Sequence, residues 1–218
     1  MIRLLLADDQ ALVRRGLRMI LETEPDLEVI AEVADGHEAL AAVAEHRPDV
    51  ILMDLRMPNL DGVAAIERLP SDARVLVLTT FSGDAQVFAA LRAGASGYLL
   101  KTAPPEQLVE AVRTVAAGDA LLDPRITRRL IEHAVTGPSP DTSRRRLSAL
   151  TGREVEVLEQ VARGASNAEI AATTFLSEAT VKTYLSRILT KTDTRSRAQL
   201  VVLAYETGLV RPGDHATP

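Results

Sequence analysis

The sequence predicts an α/β fold, a doubly wound five-stranded parallel sheet, linked to a small all-α domain of four helices. Three observations predict it. Short apolar runs at 2–7, 27–33, 49–54, 74–79 and 96–100 alternate with segments of helical spacing through the first 117 residues. From residue 147 onward the spacing is helical throughout. The charge also divides: residues 1–122 carry 11 Lys and Arg against 19 Asp and Glu, a net of −8, and residues 144–211 carry 11 against 7, a net of +4. An acidic half joined to a basic half fits two jobs, one of them on a polyanion.

In the first half the apolar runs are nearly continuous, as strands covered on both faces require. Between them, Leu12, Leu17, Ile20 and Leu21 predict one helical stripe. Ala39, Leu40 and Val43 predict a second, Val87, Ala90 and Leu91 a third, and Leu108, Val109, Val112 and Val115 a fourth. This places one domain at 1–117. A linker is expected at 118–146, because Thr136-Gly137-Pro138-Ser139-Pro140-Asp141-Thr142-Ser143 is rich in turn formers. The run Arg144-Arg145-Arg146 follows it, and so short a charge run is ordinarily just solvated.

The second domain is expected at 147–211, with helices at 152–163, 167–173, 178–191 and 196–207. Thr151 to Glu154 and Ser166 to Glu169 have capping-box spacing, and Ser177 is a third N-cap. A short helix, a tight connector and a longer helix form the helix-turn-helix layout. In the third helix Val181, Leu185, Ile188 and Leu189 make the apolar stripe. Lys182, Thr183, Ser186, Arg187, Thr190 and Lys191 lie away from it, a face of cations and small hydrogen-bonding groups that suits a DNA groove or plain solvent.

Composition removes several classes of chemistry. Of 218 residues 46% are apolar, which supplies a core, and none is Cys. Disulfides, thiolate nucleophiles, Cys-ligated zinc and iron–sulfur clusters are excluded. The four His residues, at 37, 46, 133 and 215, have no metal spacing, and there is no Gly-rich phosphate loop. No apolar run approaches the ~20 residues of a membrane helix. The run Ile2-Arg3-Leu4-Leu5-Leu6-Ala7 meets Asp8-Asp9 too soon for a signal peptide. A cytoplasmic protein without membrane contact is expected.

In an open parallel sheet ligands sit beyond the carboxyl ends of the strands. Here those ends carry Asp8-Asp9, Asp54, Thr79-Thr80 and Lys101. Singly each residue reads as a turn, a cap or a solvated side chain. Gathered at one rim, three carboxylates repel one another, and a divalent cation relieves that repulsion. Oxygen donors favour Mg²⁺, with Mn²⁺ the alternative. A hydroxyl and an ammonium could then hold a phosphoryl group accepted by a carboxylate.

Residues 1–117 resemble the receiver domain of two-component response regulators. The likeness rests on Leu6-Ala7-Asp8-Asp9-Gln10, Met53-Asp54-Leu55-Arg56-Met57-Pro58-Asn59-Leu60-Asp61-Gly62, Leu78-Thr79-Thr80-Phe81 and Gly94-Ala95-Ser96-Gly97-Tyr98-Leu99-Leu100-Lys101. The resemblance implies a flavodoxin-like sheet with Asp54 as phosphoacceptor. Asp8, Asp9 and Asp54 would hold Mg²⁺ with the Arg56 backbone carbonyl. Lys101 and Thr79 would grip the phosphoryl oxygens, and Thr79 and Tyr98 would form the switch. Many receivers place Pro directly after this Lys; here Thr102 follows, which leaves the isomer of that peptide bond open.

Residues 147–210 resemble the LuxR-type helix-turn-helix domain through Leu150-Thr151-Gly152-Arg153-Glu154-Val155-Glu156-Val157-Leu158, Gly164-Ala165-Ser166-Asn167-Ala168-Glu169-Ile170-Ala171 and Leu176-Ser177-Glu178-Ala179-Thr180-Val181-Lys182-Thr183. That likeness implies Lys182, Thr183 and Ser186 toward the groove and Thr180, Arg187 and Lys191 toward the DNA backbone. Tyr184 stands where His is common, and Thr192 where a core Leu or Met is usual. The whole chain thus resembles a NarL/FixJ-type response regulator. The resemblance implies a phosphoprotein of a two-component phosphorelay that regulates transcription rather than serving as a metabolic enzyme, and that removes its own phosphoryl group. Its implied partners are a sensor histidine kinase, paired half-sites in promoter DNA, a second copy on activation, and RNA polymerase. Two other classes remain at this point: a flavodoxin-like enzyme or cofactor-binding protein with a helical appendage, and a receiver whose output is protein binding. The net charge of +4 weighs against the latter.

Overall fold

A computed structural model of the protein describes residues 1–80, 84–119 and 147–210. The expected linker, save Gly118 and Asp119, lies outside the described residues, as do Arg144-Arg145-Arg146, Phe81, His133 and His215. The chain divides into two compact units, Met1–Asp123 and Pro124–Pro218.

In the first unit the strands are β1 (Ile2–Ala7), β2 (Leu27–Val33), β3 (Val50–Met53), β4 (Val75–Thr79) and β5 (Gly97–Leu100). They alternate with α1 (Ala11–Leu21), α2 (Gly36–His46), α3 (Gly62–Arg68), α4 (Asp84–Ala93) and α5 (Pro105–Ala117). The sheet is parallel, in the order β2-β1-β3-β4-β5. Strand side chains alternate between its faces. Leu4, Leu6, Leu52, Leu76 and Leu78 pack with Leu21 of α1 and Leu108, Val112 and Val115 of α5. Leu5, Ile51, Met53, Val75 and Val77, also buried, alternate with these and belong to the opposite face. Burial on both faces is why the strands read as unbroken apolar runs.

One expected stripe shifts. Leu12 is 84% exposed, while Leu17 and Ile20 are partly buried against the core and Leu21 is fully buried. The reason is angular: at about 100° per residue Leu12 falls on the side of α1 opposite Leu21, while Val13, one position on, is partly buried. The peptide bond after Lys101 is trans. Pro105 instead opens α5 at N1, where its missing N–H costs no hydrogen bond.

In the second unit α6 (Gly152–Ala162), α7 (Asn167–Thr174), α8 (Glu178–Thr192) and α9 (Arg197–Glu206) enclose one core. Val157, Leu158 and Val161 of α6 meet Ile170 of α7, Val181, Leu185 and Ile188 of α8, and Leu200 and Val201 of α9. Capping boxes form at Thr151 with Glu154 and at Ser166 with Glu169, and Ser177 caps α8. Thr192 is 0% exposed, yet its hydroxyl donates to the Ile188 carbonyl at 2.7 Å and lies 2.8 Å from the Thr194 hydroxyl. Both bonds satisfy the buried oxygen, so a polar residue is accommodated at this core position. Tyr184 is half-buried against the core.

Candidate functional site

Strand register brings the predicted rim together. Ala7 pairs with Met53, Met53 with Val77, and Thr79 with Leu100. The next residues, Asp8, Asp54 and Lys101, therefore emerge at one edge, with Thr79 between Asp54 and Lys101. The chain leaves in register: the Asp54 N–H donates to the Ala7 carbonyl at 2.8 Å, and the Lys101 N–H to the Thr79 carbonyl at 2.9 Å. With the order β2-β1-β3-β4-β5, this edge includes the switch point between β1 and β3.

Carboxylate oxygens of Asp8, Asp9 and Asp54 lie within 4.8 Å of one another. Asp8 is 2% and Asp54 5% exposed, while Asp9 is open to solvent. Lys101 Nζ stands between the two buried acids, 2.5 Å from Asp8 Oδ2 and 2.8 Å from Asp54 Oδ2. Burial alone would push the Lys101 ammonium toward neutrality, but hydrogen bonds and charge from Asp54 and Asp8 outweigh it, and its pKa is raised. One ammonium among three carboxylates leaves the rim negative. The donors are hard oxygens on different strand ends, a set that fits Mg²⁺ or Mn²⁺.

The loop after Asp54 is pinned at points the sequence reading did not single out. Gly62 has no room for a side chain: a Cβ there would fall 2.2 Å from the Asp54 carbonyl oxygen. Its N–H donates to the Leu55 carbonyl at 2.9 Å. Gly36 approaches as closely, with a Cβ position 2.5 Å from the Leu60 carbonyl oxygen, to which its N–H donates at 3.0 Å. Asn59, at φ 61, donates from Nδ2 to Asp35 Oδ2 at 2.7 Å. The Glu38 N–H and Asn59 bonds hold the Asp35 carboxyl below its ordinary pKa. The signal in the sequence is Asp-Gly, which occurs at 35–36 and 61–62, each Asp capping the helix its Gly begins.

Arg56, two residues beyond Asp54, is exposed and donates to the Thr80 hydroxyl at 3.2 Å. Thr79 and Tyr98 are both 1% exposed, and a hydrogen bond joins their hydroxyls. Burial raises the Tyr98 phenol to about 12, against the opposing effect of Thr79 and with a contribution from the Asp54 charge. Tyr98 is thus turned into the protein beneath the rim.

On α8, Lys182, Thr183, Ser186, Arg187 and Thr190 are exposed, opposite buried Val181, Leu185 and Ile188. Two of the expected DNA residues are engaged inside the domain. The Thr180 hydroxyl lies 2.8 Å from that of Ser177 at the helix cap. Lys191 Nζ donates to Glu154 Oε2 at 2.7 Å, and that carboxylate, 3% exposed, also accepts from the Thr151 N–H and hydroxyl. The Thr183 hydroxyl donates to the Ala179 carbonyl at 3.0 Å.

Comparison with known proteins agrees with this geometry. Residues 4–113 match the response regulator receiver domain, and residues 148–204 match the bacterial regulatory proteins of the luxR family. The transcriptional regulatory protein YxjL of Bacillus subtilis is 40% identical over 213 residues, covering 96% of this chain and 98% of that protein. The oxygen regulatory protein NreC of Staphylococcus carnosus is 40% identical over 215 residues, covering 95% and 99%. Among solved structures, the response regulator ChrA of a heme-sensing two-component system is 37% identical with a TM-score of 0.52, over 96% of this chain and 98% of that one. The receiver domain of NarL from Mycobacterium tuberculosis is 36% identical with a TM-score of 0.51, over 54% and 97%. A sheet with three carboxylates and a lysine at its rim, followed by a helix-turn-helix unit and matched along nearly its whole length, places this chain among the two-component response regulators with a receiver and a LuxR-type DNA-binding domain.

Proposed function

We propose that Asp54 accepts a phosphoryl group from a sensor histidine kinase, and that this controls dimerisation and promoter binding in the cytoplasm. The observation that carries the reading is the negative rim: Asp54, buried beside Asp8 and Asp9, with Lys101 the ammonium between the two buried acids. An Asp54 carboxylate oxygen attacks phosphorus, the P–N bond to the kinase imidazole breaks with its electron pair left on nitrogen, and an acyl phosphate forms. Asp8, Asp9, Asp54 and the Arg56 backbone carbonyl would hold Mg²⁺, or Mn²⁺ in its place, which when bound offsets charge on the phosphoryl oxygens. Lys101 and Thr79 donate to those oxygens. Water attacking the same phosphorus would reverse the modification.

Thr79 is the link to the switch. Drawn toward a phosphoryl group, its hydroxyl leaves Tyr98, and the packing of α4, β5 and α5 readjusts. Tyr98 already lies inward, so the step redistributes existing arrangements rather than building a new one. On DNA, Lys182, Thr183 and Ser186 would face the groove, with Arg187, Thr180 and Lys191 toward the backbone and two copies on paired half-sites. Contact with RNA polymerase would follow at the promoter.

The test measures phosphorylation of wild type and Asp54→Asn with Mg²⁺ and a small acyl phosphate, and operator affinity with and without beryllofluoride. Asp54→Asn should incorporate nothing, and beryllofluoride should tighten operator binding in wild type but barely in Thr79→Ala. Labelling of Asp54→Asn at the wild-type level overturns the phosphoacceptor assignment. Equal tightening in Thr79→Ala removes Thr79 from the switch.

A further inference from the structure

We infer that Arg14 is a positioning residue for the cation site, acting through the backbone that carries Asp9. The inference rests on the reading that the acidic rim takes a divalent cation. It begins from an asymmetry among the three carboxylates. Asp54 is fixed by its own Leu55 N–H at 2.8 Å and by Lys101. Asp8 is fixed by the Gln10 N–H on Oδ1 at 2.9 Å and by Lys101 beside Oδ2. For the Asp9 carboxylate no hydrogen bond or ion pair is found among the described residues, yet it lies within reach of the same cation. Its placement therefore depends on the peptide that precedes it.

That peptide is clamped on one side by Arg14. Nη1 of Arg14 donates to the Asp8 carbonyl at 2.5 Å, and the Asp8 N–H donates to the Val33 carbonyl at 3.1 Å. The Asp8 carbonyl belongs to the planar unit that runs to the Asp9 nitrogen and Cα, so fixing the oxygen restrains the rotation of the unit and the direction in which Asp9 leaves it. Arg14 is itself held. It lies in the first turns of α1, its N–H bonds the Gln10 carbonyl at 3.1 Å, and its Nε faces Glu32 Oε2 of β2 at 3.6 Å. Glu32 is in turn bonded by Arg18 Nε at 2.5 Å. A guanidinium suits this place because it is planar, always charged and directional.

Positioning and plain charge predict opposite signs. As a nearby cation Arg14 repels a metal ion, so its removal would tighten binding. As a clamp its removal loosens Asp9 and weakens binding, and losing a group that orients a metal ligand ordinarily costs ~10-fold or more in affinity.

The experiment titrates MnCl₂ into the full-length chain by calorimetry, for wild type, Arg14→Ala and Arg14→Lys, with a thermal melt of each metal-free protein. The expected result is Kd raised ~10-fold in Arg14→Ala and only partly recovered in Arg14→Lys, which keeps the charge but not the fork. Unchanged or tighter binding in Arg14→Ala overturns the inference. Should Arg14→Ala melt below the working temperature, Arg14→Lys decides alone: affinity equal to wild type overturns the clamp, and a loss supports it. A wild type that binds no Mn²⁺ overturns the cation reading itself, an outcome distinct from wild-type binding that Arg14 does not affect.

Discussion

In the receiver, Lys101 stands between two buried carboxylates with a third close by. In the DNA-binding unit, Lys191 meets one buried carboxylate, Glu154, whose Oε2 also takes the two capping bonds from Thr151. Both are lysine–carboxylate contacts at the end of an element, but their balance differs. At Glu154 one ammonium meets one carboxylate, so the charge is matched, and the result is a joint between α6 and α8. At the receiver rim acceptors outnumber donors, and the surplus negative charge is available to a ligand. A matched buried charge is scaffold, and an unmatched cluster is a place for chemistry.

The sharpest way to break this comparison removes the lysines. Lys101→Met leaves Asp8 and Asp54 buried without an ammonium, and should destabilise the metal-free receiver by about 3 kcal/mol or more. Mg²⁺ should raise its melting midpoint more than that of wild type, because a cation replaces what was lost. Lys191→Met, whose receiver is unchanged, should show the wild-type Mg²⁺ shift and no more. Equal Mg²⁺ shifts in wild type and Lys101→Met would mean the rim is not governed by charge surplus.

Gly62→Ala should cost about 1–3 kcal/mol, since the added methyl meets backbone rather than a yielding side chain. It should also slow phosphorylation, because the clash falls on Asp54 itself. Urea denaturation and labelling rates report the two effects, and a stable variant with full labelling would show that this approach is not required.

In the second unit Glu154→Gln should cost about 1–2 kcal/mol, the range of a lost helix cap, without altering Mn²⁺ binding. Its pH dependence has a definite sign. Lys191 foremost, then the Thr151 N–H, hold Glu154 below its ordinary pKa. The stabilisation is present above the unfolded carboxylate value of about 4.3 and is lost as pH falls through the depressed folded value. Glu154→Gln should therefore flatten the acid limb of stability against pH, and an unchanged limb would remove the joint's electrostatic role.

The smallest expected effects concern DNA. Lys182→Ala should reduce the slope of log affinity against log salt by about one unit. Lys191→Ala should reduce it by less, because that ammonium is already paired with Glu154. Equal slopes for the two variants would mean that Lys191 leaves Glu154 when DNA binds.

Much of this was legible in the chain. The five strands and the four helices beyond residue 147 follow from apolar runs and capping residues, because burial on two faces and on one stripe leave different periods. The acidic rim was legible because strand ends in a parallel sheet share one edge. Leu12 was misplaced because it stands about half a turn around α1 from Leu21, so the buried stripe runs through Val13, Leu17, Ile20 and Leu21 instead. The sequence by itself determined which residue types reach the rim. Only the tertiary structure decided how they are shared: Lys101 between Asp8 and Asp54, Lys191 given to Glu154, Arg14 on the Asp8 carbonyl, and Gly62 against Asp54. Local spacing fixes direction along one element, whereas these contacts join residues 6 to 93 positions apart and depend on strand order and register.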